Sequence, residues 1–217
     1  MSNSAQVSSS PFSLRNAGRL ALPISAMALV IGGCSAPPAE TAKNGVIKPK
    51  LEASRKTVKT ASDPDAASID ATPTETTIED ILAHKDPTGG NLTGRTSDFE
   101  KKTWKVKATL TSVQLKKDGD YYLVMKGENG GTSVVEVPDP KLCEDSRFKD
   151  EITETRKKLE EKYHPTPDVK EINDPATVTG VGFLGWGKRK PGAAPKKPAT
   201  GPTGPRLMPG IGIEFGS

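Results

Sequence analysis

From residue 76 onward the apolar positions switch between two periods. Ile78, Ile81 and Leu82 fall at i, i+3 and i+4 behind Thr76 and Thr77, with Glu79 and Asp80 in the first turn. That spacing predicts a short capped helix ending before Pro87. Trp104, Val106, Ala108 and Leu110 then alternate at period 2, with Lys105, Lys107 and Thr109 on the opposite face. The phase slips afterwards, because Val113 and Leu115 are the next large apolar residues, and a long strand that changes parity needs a β-bulge. Lys116–Asp120, with its Asp-Gly pair, reads as a hairpin turn, Tyr121–Met125 as a second strand and Glu128–Gly131 as a second turn. Ser133–Val137 is the third strand, closed by Pro138 and Pro140, which cannot donate to a ladder. Phe148, Ile152, Thr155, Leu159 and Tyr163 form one stripe of a helix, with Ser146 as its N-cap. Thr177–Leu184 and Leu207–Phe215 are the fourth and fifth strands. A Pro/Gly/Lys loop, residues 185–205, separates them.

This order predicts a β-rich α+β fold: an OB-like five-stranded barrel with a helix between strands 3 and 4. A bulge in the first strand suits it, since that strand must bend to serve both sides of a barrel. The alternative is an unrelated small α+β sheet.

The first 75 residues have a different character. An apolar run from Leu20 to Ile31 follows Arg15 and Arg19, and no acidic residue precedes Glu40. Charge, then apolar run, then small residues is the order of a secretory signal. The run is shorter than the roughly 20 apolar residues that a spanning helix needs. It ends at Ile31-Gly32-Gly33-Cys34, which resembles the lipobox of bacterial lipoproteins. The resemblance implies a signal peptide over 1–33, a lipid (palmitate-type) anchor on Cys34 and a cell-envelope location. By analogy with enteric sorting, Ser35 after the cysteine favours the outer membrane in a two-membrane bacterium. Residues 35–75 hold few large apolar groups and read as a disordered tether, with a reach of roughly 35 Å. The expected organisation is therefore signal 1–33, lipidated cysteine and flexible linker 34–75, and an OB-like domain 76–217.

Composition agrees with a partly unpacked chain: hydrophobic residues make up 33%, with 21 Gly and 19 Pro in 217 residues. The formal net charge of +4 includes the two arginines of the signal, so the mature chain is close to neutral and has no reason to bind polyanions over its whole surface. With Cys34 lipidated, Cys143 is the remaining cysteine, and a buried thiol is the expectation.

Several short motifs occur in sequence: Lys59-Thr60-Ala61-Ser62-Asp63, Asp118-Gly119-Asp120-Tyr121-Tyr122-Leu123-Val124, Glu136-Val137-Pro138-Asp139-Pro140 with Cys143, Thr179-Gly180-Val181-Gly182-Phe183 and Leu207-Met208-Pro209. Together they resemble a family of uncharacterised exported bacterial proteins, over about residues 55–217. In that family the second motif more often reads Asp-Gly-Asp-Tyr-His and the last more often Leu-His-Pro, so Tyr122 and Met208 stand here at two histidine positions. The resemblance implies export and a single β-rich domain, and no activity.

Candidate chemistry is sparse. Asp118-Gly119-Asp120 is also similar to the Asp-Gly-Asp near the calcium site of thermonucleases, and two carboxylates suit a hard cation. Such a nuclease also needs an arginine and a glutamate after the next strand; here that region is Val134-Val135-Glu136-Val137-Pro138, with no arginine before Arg147, so Asp118 and Asp120 read first as a turn and only weakly as a metal site. His84 and His164 have no ligand partners at metal spacing. Trp186 with Lys188, Arg189, Lys190, Lys196 and Lys197 is the leading ligand-binding candidate, because an indole beside cations can stack on a ring while the cations meet phosphates. The expected function is a lipid-anchored envelope binding or structural module without catalysis or cofactor. Its partners would be the membrane through Cys34 and an envelope glycan, lipid or protein. The alternatives are a single-stranded nucleic-acid binder and a divalent-metal-dependent phosphodiesterase.

Overall fold

The computed structural model describes residues 54–85, 93–185, 202 and 204–216, all within one compact unit, Ile47–Ser217. The signal segment 1–33, Cys34, the tether up to residue 53, and Trp186, Lys188, Arg189, Lys190, Lys196 and Lys197 lie outside the described residues.

The elements are α1 (Arg55–Lys59), β1 (Asp70–Thr76), α2 (Ile78–Ala83), β2 (Lys102–Leu115), β3 (Tyr121–Lys126), β4 (Thr132–Val137), α3 (Lys149–Tyr163), β5 (Lys170–Phe183) and β6 (Arg206–Phe215). They form a β-rich fold around one mixed six-stranded sheet of order β1-β2-β3-β4-β6-β5, in which β2 also pairs with β5. β1–β2 and β4–β6 are parallel and the other pairs antiparallel. The register of β2 shifts between Leu110 and Ser112 against both β3 and β5. This is the bulge that the change of apolar phase requires, and it lets Val106, Leu110 and Val113 all point inward and be buried. The α3 stripe of Ile152, Thr155, Leu159 and Tyr163 is buried as its period predicts. Phe148, not Ser146, is its N-cap, and the Ser146 hydroxyl accepts from Phe148 N instead, at 3.1 Å.

Three expectations need correction. The tether expected to run to residue 75 ends earlier: residues 54–75 carry α1, a 3-10 turn at Ala66–Ser68 and β1, and bury Val58, Ala61, Ala66 and Ile69. Its few apolar groups suffice because ion pairs and the β2 ladder hold the rest. The described strands number six, not five, because β1 adds a nearly all-exposed, threonine-rich parallel strand beside β2. β5 begins at Lys170 rather than Thr177. Its polar first half, with Pro175, is held by main-chain pairing to Thr109–Val113 of β2 rather than by burial. At the other end of β5, a Cβ on Gly182 would lie 2.1 Å from Phe99 O, so that glycine serves close backbone packing.

Candidate functional site

The described residues concentrate their buried charge around α1. Ser54 caps this single turn: its hydroxyl accepts from Thr57 N at 3.2 Å, and Thr57 Oγ1 accepts from Ser54 N at 3.0 Å. Five residues are too few to persist as an isolated helix, so α1 exists because its neighbours hold it.

Arg55 anchors one side. Its guanidinium pairs with Glu100, donates to Gly94 O at 2.9 Å and to Leu184 O, and stacks 4.2 Å from the Phe183 ring centre. Glu100 is fully buried. It also accepts from Thr96 N at 2.7 Å, Thr96 Oγ1 at 2.8 Å and Leu184 N at 2.9 Å. Burial alone would raise its pKa, but the Arg55 pairing and the amide donors outweigh it and hold the carboxyl below its ordinary value. Beside it, Arg95 forks onto Asp63 at 2.7 and 3.2 Å.

Lys59 anchors the other side. Its ammonium contacts Asp120, Asp118 Oδ2 at 3.1 Å and Glu136 Oε2 at 3.3 Å. Burial opposes the charge, yet Asp120 and Glu136 more than offset it and raise the lysine pKa. Burial together with the nearby Asp118 and Glu136 charges pushes Asp120 the other way for a carboxyl, upward. Glu136 is shared with Arg206, 3.3 Å away. The Asp118–Asp120 turn is locked from outside. Gly119 has φ +87°, and a Cβ there would meet Asp139 Oδ2 at 2.7 Å. Arg156 donates to Gly119 O and Val137 O, both at 3.0 Å.

Lys59 and Asp120 form the floor of an open cleft of about 590 Å³, walled by α1, by the Asp118 turn and by Lys141, Leu142, Glu144 and Asp145. Leu142 stands on its rim with 58% of its surface exposed. Cys143, next to it, is a free buried thiol, as expected. Burial and the Asp120 and Asp139 charges push it up to about 12, so it stays protonated and inert near neutral pH. A lysine held as ammonium is likewise no nucleophile. The arrangement offers fixed charges and a recess for recognition.

Asp118 and Asp120 do sit in a turn, and the cation between them is Lys59. A divalent metal would have to displace that ammonium. Among the described residues no group of three or more His, Cys, Asp or Glu side chains is placed to hold a metal ion. His84 stacks on Phe99 with ring centres 4.2 Å apart. His164 ends α3 at φ 47°, with its side chain exposed.

Sequence reasoning missed Arg55, Lys59, Glu100, Glu136 and Arg206. One usable signal was Glu136 inside the run Val134-Val135-Glu136-Val137, a carboxylate in an otherwise apolar strand. The five motifs quoted above meet at α1: Lys59 of the first pairs with Asp118, Asp120 and Glu136, Phe183 lies under Arg55, and Met208 packs with Val58. Tyr122 pairs opposite Glu136, and Met208 packs with Val58. Comparison with protein families, with curated proteins and with solved structures returns no match.

Proposed function

We propose that this chain is an exported, lipid-anchored cell-envelope protein whose domain is an OB-like barrel acting as a binding or structural module without catalysis. The barrel reading is supported by the pairing order. β2 pairs with β3 and β5, β3 with β4, β4 with β6 and β6 with β5, with α3 between β4 and β5 in the chain. That is the cyclic strand order and helix position of an OB fold. The anchor reading rests on Cys34 after Ile31-Gly32-Gly33.

The observation that carries the binding reading is the cleft floored by Lys59 and Asp120. Its ion pairs hold charge in fixed positions, while Leu142 offers an exposed apolar contact at the rim. The ligand is an envelope glycan, lipid or protein that enters this cleft beside the 116–120 turn. Cells expressing the full chain and its Cys34→Ala form test the anchor: the variant moves from the membrane to the soluble fraction. Capture from envelope extracts by residues 50–217, beside Leu142→Asp and Trp186→Ala forms, tests the module. A ligand lost in either variant supports this face. A ligand retained by both moves the site elsewhere, and capture of nothing by any form argues against a binding module.

A further inference from the structure

We propose that the surface beneath α1 is a recognition groove for a basic peptide segment, and that α1 is its resident occupant. This rests on the binding-module reading and not on the anchor or the location.

Three observations set α1 apart from the body of the domain. Its one buried aliphatic residue, Val58, packs with Phe183 and Met208 in a small cluster separate from the main core. Its other contacts are those of a docked ligand: Arg55 enters one acidic pocket and Lys59, four residues later, enters a second. Positions i and i+4 share one face of a helix, so a single turn delivers both cations and Val58 sits between them. The fit is also incomplete. Arg55 Nε is buried with no hydrogen-bond partner, a cost that a better-matched occupant would avoid.

The pockets do not need α1 to hold their shape. Glu100 is oriented by Thr96 and by Leu184 N. Asp120 accepts from Asp139 N at 3.2 Å, and Glu136 faces Arg206. These partners lie in β6, in the segment before β2 and in the segments that follow β4 and β5. If α1 opens, two preoriented acidic pockets with Phe183 and Met208 between them face outward. A segment that carries two cations one helical turn apart, with an aliphatic residue before the second, would satisfy them. A neutral or acidic segment would leave the carboxylates uncompensated and be rejected. Local opening of a short, ionically held element is the low-stability kind of motion that such exchange requires.

The test uses the purified full chain and a fluorescein-labelled peptide of its own residues 51–63, beside a peptide in which both cations are reversed, Arg55→Glu and Lys59→Glu. The wild-type chain should bind the first peptide weakly, because its own α1 competes. The Val58→Ala chain keeps every carboxylate but loosens α1, and should bind that peptide about tenfold or more tightly than wild type, the gain expected when the competent fraction rises. Neither protein should bind the reversed peptide. Amide exchange on the wild-type chain provides a second reading that needs no variant. Val58 and Thr60 amides should exchange at least about tenfold faster than those of Val113 and Leu123, and faster still with peptide added. The proposal fails if the folded Val58→Ala chain binds both peptides equally or neither. It fails also if the α1 amides exchange as slowly as those of β2 and β3, for then α1 is a fixed part of the domain. Envelope capture through the outer cleft is measured separately, so either failure leaves the binding-module reading standing on its own test.

Discussion

Lys59→Met is the sharpest test of the electrostatics around α1. Methionine keeps much of the aliphatic stem and removes one ammonium. Asp120, fully buried, then loses its cation, and Glu136, 11% exposed, loses one of two. Breaking a buried pair from one side costs about 3–5 kcal/mol, because the remaining charge is left uncompensated. Two features favour the lower end. Asp118 is 55% exposed and water can take over its charge, and Arg206 still faces Glu136 at 3.3 Å. The expected loss is therefore about 3 kcal/mol at pH 7. With a urea slope of about 1–3 kcal/mol per molar, the unfolding midpoint falls by about 1–3 M. The pH dependence carries the sign. Without the ammonium, Asp120, which burial already pushes upward, titrates higher still in the folded state, so the folded state binds more protons than the unfolded one and stability drops as pH rises. The deficit relative to wild type should be largest at pH 7 and shrink toward pH 5. Adding Asp120→Asn to Lys59→Met should restore part of the loss. Urea titrations of the three proteins at pH 5 and pH 7 decide it. A deficit under about 1 kcal/mol, the range of exposed pairs, with no change between the two pH values, would refute the reasoning.

The remaining predictions are narrower. Gly119→Ala should cost more than Gly130→Ala: both glycines have positive φ, +87° and +85°, but only the Gly119 methyl meets a neighbour, Asp139, while nothing lies within 4 Å at Gly130. The backbone term is about 1–2 kcal/mol for each, so thermal unfolding should show Gly130→Ala near that value and Gly119→Ala beyond it. Cys143 should resist a thiol reagent at pH 8 in the native domain and react at once in denaturant, since its pKa lies near 12 and it is buried; prompt native labelling would contradict the buried geometry. On the wild-type chain, Glu100 has its pKa depressed, so its contribution to stability is present above the ordinary glutamate value and lost as pH falls through the depressed one. Glu100→Gln should flatten the acid side of the stability–pH curve while lowering stability at pH 7 by about 3–5 kcal/mol, because Arg55 is left buried without its anion.

How much of this was legible in the chain depends on what holds each element. Elements fixed by their own burial pattern could be read directly. The bulge in β2 follows from the parity change between Leu110 and Val113, the α3 stripe from its four-residue spacing, and the two hairpin turns from Asp-Gly and Asn-Gly. Elements fixed by a neighbour could not. β1 carries no large apolar residue and is a strand only because β2 offers it a parallel edge. The first half of β5 is a strand because β2 is long enough to extend past the bulge. α1 sits in a stretch whose composition reads as tether, since its binding energy comes from two cations whose partners lie 45 and 61 positions away in the sequence.

The same distinction bears on Asp118 and Asp120. They read first as a turn and only weakly as a metal site, because a local motif shows donors and not what fills them. The filler, Lys59, comes from an element that the local pattern did not reveal. A carboxylate pair has a different meaning once its cation is supplied by the chain itself: on the proposed reading the site receives an ammonium group rather than a hard ion. On that view the functional residues are Arg55 and Lys59 together with the carboxylates they touch. The question for experiment is whether a partner's cations can take their place.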